Sequence, residues 1–239
     1  MTTIGGATVA GNRLLDSLGT ASRDRIAPLL RLVDFEPRVT LFDPGDVVRE
    51  ALFPLEGIVS LLTVVSDGAQ VELATVGREG AVGVPSLLDS TRAIWRALVQ
   101  ARGSALAIDL EVLEREVETD PEVRDLLNRY SFALMAQIGQ AVACNRLHPV
   151  EQRTARWLLS THDRVGEDVF PMTHEFLSEM LGVRRASVTE AAGRLQDRGV
   201  IAYRRGRMRV LDREELERIS CECYEVVRSR YERIIGGSD

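Results

Sequence analysis

Residues 173–210, THEFLSEMLGVRRASVTEAAGRLQDRGVIAYRRGRMRV, narrow the fold more than any other part of the chain. Phe176, Leu177, Met180 and Leu181 recur at one-turn spacing, the pattern of a helix with one buried face. Gly182 interrupts, as a residue that ends a helix or turns sharply at little steric cost. A second helical pattern follows, with Val188, Ala191, Ala192 and Leu195 on its apolar side, and Gly199 stops it. Val200 to Tyr203 then reads as a short strand, Arg204 to Arg207 as a basic turn, and Met208 to Leu211 as the returning strand. Two short helices, a tight turn and a basic hairpin predict a winged helix-turn-helix, which can seat one helix in the major groove of DNA.

Charge points the same way. Residues 184–209 hold eight Arg and two acids, a net of +6, inside a chain of formal charge -6. Such a local excess is an electrostatic footprint for phosphate. Residues 1–150 carry 14 Arg against 20 acids, whereas residues 151–239 carry 16 of each. The acidic part should avoid DNA and the basic patch should meet it. No apolar run approaches the ~18 residues of a membrane span, and no secretory leader pattern is present. The expectation is a cytosolic protein with no membrane partner. Three Cys argue against a disulfide framework.

Upstream, Asn12 is placed to cap a helix with Leu14, Leu15 and Leu18, and Ser22 to cap the next. From 33 to 108 short apolar runs alternate with Gly, Pro and Asp, the texture of a small β sandwich or barrel. Asp43-Pro44-Gly45-Asp46 is a turn sequence, and Asp67-Gly68 a hairpin signal. Val71 and Leu73 alternate with Glu72, so Glu72 is expected to face solvent. Asp109 and Asp120-Pro121 open two more helices. Between Pro121 and Pro149 a helix of roughly 27 residues would span about 40 Å. Val123, Leu127, Tyr130, Leu134, Gln137, Ala141 and Cys144 form a 4-3 seam along it, predicted to pack on a second copy; burial against its own domain is the alternative. Residues 151–160 read as a short helix, 163–171 as a polar connection, and Asp212 as the cap of a last helix through Val226. Residues 236–239 are expected to fray.

These pieces resemble, in order, the Crp/Fnr family of bacterial transcription regulators. FDPGD at 42–46, LFPLEGIVSLL at 52–62 and VGREGAVGVPSLL at 76–88 carry the likeness upstream. EMLGVRRASVTEAAGRLQDRGVI at 179–201 and YRRGRMRVLD at 203–212 carry it downstream. The resemblance implies an α+β chain in three parts. These are a cyclic-nucleotide-binding-like β-roll with flanking helices at 12–120, a long dimerisation helix at 121–148, and a winged helix-turn-helix DNA-binding domain at 149–235. It implies a homodimer on a palindromic operator in double-stranded DNA, with RNA polymerase as a further partner, and no enzymatic activity or catalytic residue.

Residue by residue, Arg185 matches a base-contacting Arg, Ser187 a phosphate-touching hydroxyl, and Glu190 a second base-reading position. Arg184, Thr189, Arg204, Arg205 and Arg207 complete the expected DNA surface. Arg185 can donate twice to guanine, and Glu190 either accepts from cytosine or pairs with Arg194 on the helix surface. The wing arginines suit phosphate. Cyclic-nucleotide binders of the family carry Gly-Glu before an Arg followed by Ser or Thr. Here Gly83-Val84-Pro85-Ser86 lacks the Glu, and Arg92 and Arg96 are the candidates for the phosphate site. The expectation is therefore no cyclic AMP, an unidentified effector, and no cofactor or metal. The Cys221-x-Cys223 pair is the redox candidate; two thiols would hold a metal only with help, for example from Cys144 or a His. His148, His162 and His174 show no metal-ligand spacing.

Overall fold

The computed structural model describes residues 3–4, 7–8, 10–88 and 92–235; the tail at 236–239 lies outside them. The chain packs as two units. The first gathers Met1–Leu61, Thr75–Ala136 and Ser229–Asp239; the second gathers Leu62–Ala74 and Gln137–Arg228.

The first unit opens with the paired strands β1 (Thr3–Ile4) and β2 (Ala7–Thr8) and two short helices, α1 (Arg13–Asp16) and α2 (Thr20–Ile26). Asn12 caps α1 by accepting from Leu15 N, and its amide donates to the Pro54 and Gly80 carbonyls. That use of every side-chain atom explains why a polar residue is fully buried. Ser22 is not a cap. It lies inside α2 and donates to Glu122, whose carboxylate also accepts from Gly19 N at 2.6 Å. A distant acid thus does at the α2 N-terminus what a local side chain was expected to do. Pro28 ends the helix in a single 3-10 turn, Ala27–Leu29.

Seven strands follow: β3 (Arg31–Phe35), β4 (Thr40–Phe42), β5 (Glu50–Pro54), β6 (Ile58–Val64), β7 (Gln70–Val76), β8 (Arg96–Ala101) and β9 (Gly103–Asp109). They form two sheets, ordered β3-β9-β5 and β4-β8-β6-β7. The α+β class and the roll-like sheets are those the sequence predicts. Phe53, Ile58, Leu62, Val99, Leu106 and Ile108 are buried in this region. Asp109 caps α3 (Leu110–Thr119) through Glu111 N. Then α4 (Pro121–Leu147) runs unbroken for 27 residues, and Asp120 accepts from Glu122 N at its start.

Val123, Leu127, Tyr130, Leu134, Gln137 and Ala141 are all buried within the chain. Tyr130 shows why: its hydroxyl donates to the Ala81 carbonyl at 2.6 Å, and its ring lies where a Cβ on Gly80 would collide. The apolar residues of α4 left exposed are Phe132, Met135, Val142 and Leu147. Phe132, Met135 and Val142, with Gly139, repeat at 3-4-3 spacing on a different face. The helix is apolar on two faces, and spacing alone did not say which one its own chain covers.

In the second unit α5 (Val150–Val165) is longer than predicted, and β10 (Val169–Pro171) replaces an expected connection. Helix α6 (His174–Leu181) is capped by Thr173 and stopped by left-handed Gly182; α7 (Arg185–Asp197) follows after a short turn. Strands β11 (Ile201–Arg204) and β12 (Arg207–Val210) pair antiparallel, and β10 adds to the edge of β12. Arg205 and Gly206, both at positive φ, make the two-residue turn of this wing. The predicted last helix is two, α8 (Arg213–Ile219), capped by Asp212, and α9 (Cys223–Ile235). No helix among the described residues is long and apolar enough to cross a membrane.

The hairpin tip Leu62–Ala74 groups with this second unit. Here Glu72 reverses its expected face. It is buried, and accepts from the indole Nε1 of Trp157 at 2.8 Å, itself buried on α5. Val71 packs against the Gly182 turn, where an added Cβ would sit 3.0 Å away. Alternation failed as a guide because the tip packs on a helix instead of facing water. Leaving the indole N–H unsatisfied costs roughly 1–3 kcal/mol. Glu72→Leu should therefore destabilise the second unit by about 2 kcal/mol in denaturant unfolding followed by Trp157 fluorescence. An unchanged midpoint would mean that this hydrogen bond does not hold the hairpin.

Candidate nucleic-acid surface and Cys-His centre

Helix α7 presents the predicted surface. Its apolar side, Val188, Ala191, Ala192 and Leu195, is buried, so the opposite side is turned outward. Arg184, Arg185, Thr189 and Glu190 are exposed and Ser187 half-buried. Arg185 Nη1 lies 3.5 Å from Glu175 on α6, an exposed pair that constrains the guanidinium little. Glu190 is not the partner of Arg194; Arg194 Nε instead reaches Glu151 at 2.6 Å on α5, joined by Arg198 at 3.7 Å. On the wing Arg204, Arg205 and Arg207 are exposed, with no carboxylate partner among the described residues.

His174 connects the recognition helix to the wing. Its ring stacks on Tyr203 of β11 at 4.2 Å, and Nδ1 lies 3.1 Å from Thr189 Oγ1. Nε2 is buried without a hydrogen-bond partner among the described residues. Burial first, and the charge of Arg185 second, hold this imidazole below its ordinary value. The native state therefore resists protonation. The associated stability is complete above the unfolded value of about 6.5 and is lost as the pH falls below it. Between pH 7 and pH 5 the wild type should lose more thermal stability than His174→Gln, which lacks this titration; parallel pH profiles would refute the assignment.

The nucleotide candidates are occupied by structure. Arg96 Nε pairs with Asp43 at 2.6 Å, and Arg92 Nη1 donates to the Gly45 carbonyl at 2.7 Å. Both thus engage the Asp43–Asp46 turn region. Gly83 has a positive φ and approaches β5 so closely that a Cβ would lie 2.7 Å from the Glu50 carbonyl. That close approach gives the glycine a backbone role.

The expectation of no cofactor and no metal is overturned in the second unit. Cys144, His148, Cys221 and Cys223 bring one ligand atom each to a group in which all lie within 4.8 Å of one another. Cys144 on α4 and His148, one residue past its end, stand four residues apart, and His148 N donates to the Cys144 carbonyl, so the two lie on one face. Cys221 and Cys223 flank the break between α8 and α9, where Tyr224 N donates to the Cys221 carbonyl. The three thiols are buried. Cys144 Sγ lies 3.5 Å from Cys221 Sγ, and Cys223 Sγ lies 3.4 Å from His148 Nδ1. The Gln140 amide donates to Cys223 Sγ at 3.1 Å, and His148 Nε2 reaches Glu222 at 3.2 Å.

Electrostatics divide the thiols. The hydrogen bond with Cys221 pulls Cys144 below the usual thiol range, helped by the charge of Arg156. The same bond, with burial, pushes Cys221 up. His148 is raised by its hydrogen bond to Cys144 and by Glu222. Three cysteines and an imidazole in one buried space can ligate a soft metal or close a disulfide. The sequence signal for this site was Cys144-x-x-x-His148, one helical turn apart. What hid it was the break between α8 and α9, which turns both later thiols inward.

Rigid neighbours frame the site. Arg153, buried on α5, donates to Asn145 at 2.9 Å and to the Leu181 carbonyl, linking the end of α4 to α6. Arg213 at the start of α8 pairs with Asp163 at 2.7 Å and donates to the Tyr224 hydroxyl at 2.6 Å. Tyr224 in turn donates to Asp163 at 2.7 Å. Burial, followed by that carboxylate, pushes the Tyr224 phenol up to about 12, so it remains a donor.

Comparison with known proteins agrees with this architecture. Residues 32–120 match the cyclic nucleotide-binding domain, and residues 152–219 match the Crp-like helix-turn-helix domain. The global nitrogen regulator of Nostoc sp. is 24% identical over 186 residues, covering 74% of this chain and 83% of that protein. Its counterpart from Synechococcus elongatus is 22% identical over 193 residues, covering 77% and 86%. Among solved structures, FixK2 from Bradyrhizobium japonicum superposes with a TM-score of 0.69 at 15% identity, covering 80% of this chain and 98% of that one. The c-di-GMP responsive regulator CLP of Xanthomonas campestris gives 0.66 at 16%, covering 80% and 99%. At these identities the structural likeness is one of fold. A cyclic nucleotide-binding domain followed by a Crp-like helix-turn-helix places the chain in the Crp/Fnr family of DNA-binding transcription regulators, which are not enzymes.

Proposed function

We propose that this regulator binds a palindromic operator as a homodimer and takes its signal at the Cys144–His148–Cys221–Cys223 centre, as a change of metal or thiol state. One observation carries the reading: four ligand atoms from two distant parts of the chain lie within 4.8 Å, inside the unit that holds the recognition helix. The alternative entry point, a nucleotide in the roll, is disfavoured because Arg92 and Arg96 already serve a turn and no Glu follows Gly83. Dimerisation is assigned to the exposed stripe Phe132, Met135, Gly139 and Val142 of α4. Two recognition helices would then address half-sites about 34 Å apart.

On DNA, Arg185 is assigned to guanine and Glu190 to cytosine. Arg184, Ser187, Thr189, Arg204, Arg205 and Arg207 are assigned to positioning, mainly on phosphate. Arg185→Ala should lower operator affinity by roughly tenfold or more, about 1–3 kcal/mol, and relax specificity at one symmetric base pair. Arg205→Ala should weaken specific and random DNA alike and reduce the salt slope by about one. Equal losses on both DNAs for Arg185→Ala would reassign it to phosphate.

The signal is tested on an operator selected from random duplexes, at fixed salt. Affinity is compared for protein that is metal-loaded, chelated under reducing conditions, or treated with hydrogen peroxide. A change of about tenfold between states corresponds to ~1.4 kcal/mol of coupling. Identical affinity in all three states would make this a constitutive DNA-binding protein and refute the reading.

A further inference from the structure

We infer that Cys144, His148, Cys221 and Cys223 bind a single four-coordinate zinc-class ion through three sulfurs and the imidazole Nδ1, and that Glu222 is the residue that orients the imidazole. This rests on the reading of the centre as the signal input and gives that input a chemistry.

The distances favour one ion. Zinc–sulfur and zinc–nitrogen bonds of about 2.3 and 2.0 Å give a tetrahedron with edges of about 3.5–3.8 Å. The Cys144–Cys221 sulfurs are 3.5 Å apart, and Cys223 Sγ lies 3.4 Å from His148 Nδ1. No pair of ligand atoms exceeds 4.8 Å, so small side-chain rotations complete the shell. An iron–sulfur cluster places its thiolates on different irons and needs a wider cage. Three thiolates also select a soft or borderline ion over magnesium or calcium.

The surroundings are those of a closed site. Cys144 and Cys223 are fully buried and Cys221 is 4% exposed, and three Cys with one His are a ligand set of structural sites, in which protein atoms fill all four positions. His148 Nε2 points at the Glu222 carboxylate, 3.2 Å away, which leaves Nδ1 toward the sulfurs. A carboxylate on the far nitrogen fixes the tautomer and ring orientation of a metal-bound histidine. Glu222 can do so because it lies between the two cysteines: its neighbours turn inward and its own side chain stays 71% exposed. The Gln140 amide, one turn before Cys144, supplies a hydrogen bond to the Cys223 sulfur. A bound ion would tie the last turns of α4 to the junction of α8 and α9, segments more than 70 residues apart in sequence.

The test uses the full-length reduced chain and cobalt(II) as the optical probe for zinc. One cobalt per chain, with intense tetrahedral d–d bands and thiolate-to-cobalt charge transfer, displaced by zinc, is the expected result. Cys223→Ser and His148→Ala should alter or abolish the bands. Glu222→Gln, at an exposed position, should fold normally and keep the tetrahedral spectrum while weakening cobalt binding by about tenfold. Absence of tetrahedral bands in folded wild type, or recovery of several irons with sulfide per chain, would overturn the single-ion site. Unchanged cobalt affinity in Glu222→Gln would overturn the orienting role. The two readings fail separately: tetrahedral cobalt without any effect on operator affinity removes the signal reading and supports the site. Operator binding that responds to peroxide in a chain that takes up no cobalt removes the site and supports the signal reading.

Discussion

Packing three thiols and an imidazole into one small buried space is the constraint on which the DNA-binding unit turns. Sulfur and nitrogen atoms within 4.8 Å of each other cannot keep independent protonation states. Cys144 and Cys221 share a hydrogen bond, the imidazole is raised by its hydrogen bond to Cys144, and Cys223 accepts from an amide. The arrangement has a small set of discrete states: hydrogen-bonded, metal-bound, or disulfide-closed. Discrete states of this kind are what a regulator needs, since a signal can act only through a difference in free energy between two arrangements.

The rest of the unit is built to pass such a difference along. Arg153 reaches from α5 to the ends of α4 and α6, and Arg213, Asp163 and Tyr224 bind α5 to α8 and α9. His174 and Thr189 connect α6, α7 and the wing. The hairpin tip at Leu62–Ala74 joins through Glu72 and Trp157. These polar contacts, buried to different degrees, link the elements that carry them.

Much of this was legible in the sequence, where a local rule applied. The helix starts at Asn12, Asp109 and Asp212, the stops at Gly182 and Gly199, the 27-residue helix and the basic wing all follow from short-range chemistry. The failures are all long-range. Glu122 caps α2 across more than 100 residues, in place of Ser22. Glu72 is buried by an indole 85 residues away. Helix α4 has two apolar faces, and only the fold decides that Tyr130 packs at home while Phe132 and Val142 face out. The Cys-His cluster was legible only in part for the same reason: Cys221-x-Cys223 was a candidate pair and Cys144 or a His a possible helper, but nothing in either half states that they meet.

The most direct test of the account is thermodynamic linkage between the centre and DNA. Cobalt affinity of the full-length protein is measured at fixed salt with and without saturating operator duplex. Coupling is reciprocal, so if metal changes operator affinity then operator must change metal affinity by the same factor. The account predicts a shift of about tenfold with operator, a much smaller shift with random duplex, and loss of the effect in Arg185→Ala under conditions where that variant leaves the operator unbound. Cobalt affinity that is the same with and without bound operator would contradict the claim that this centre is where the regulator receives its signal.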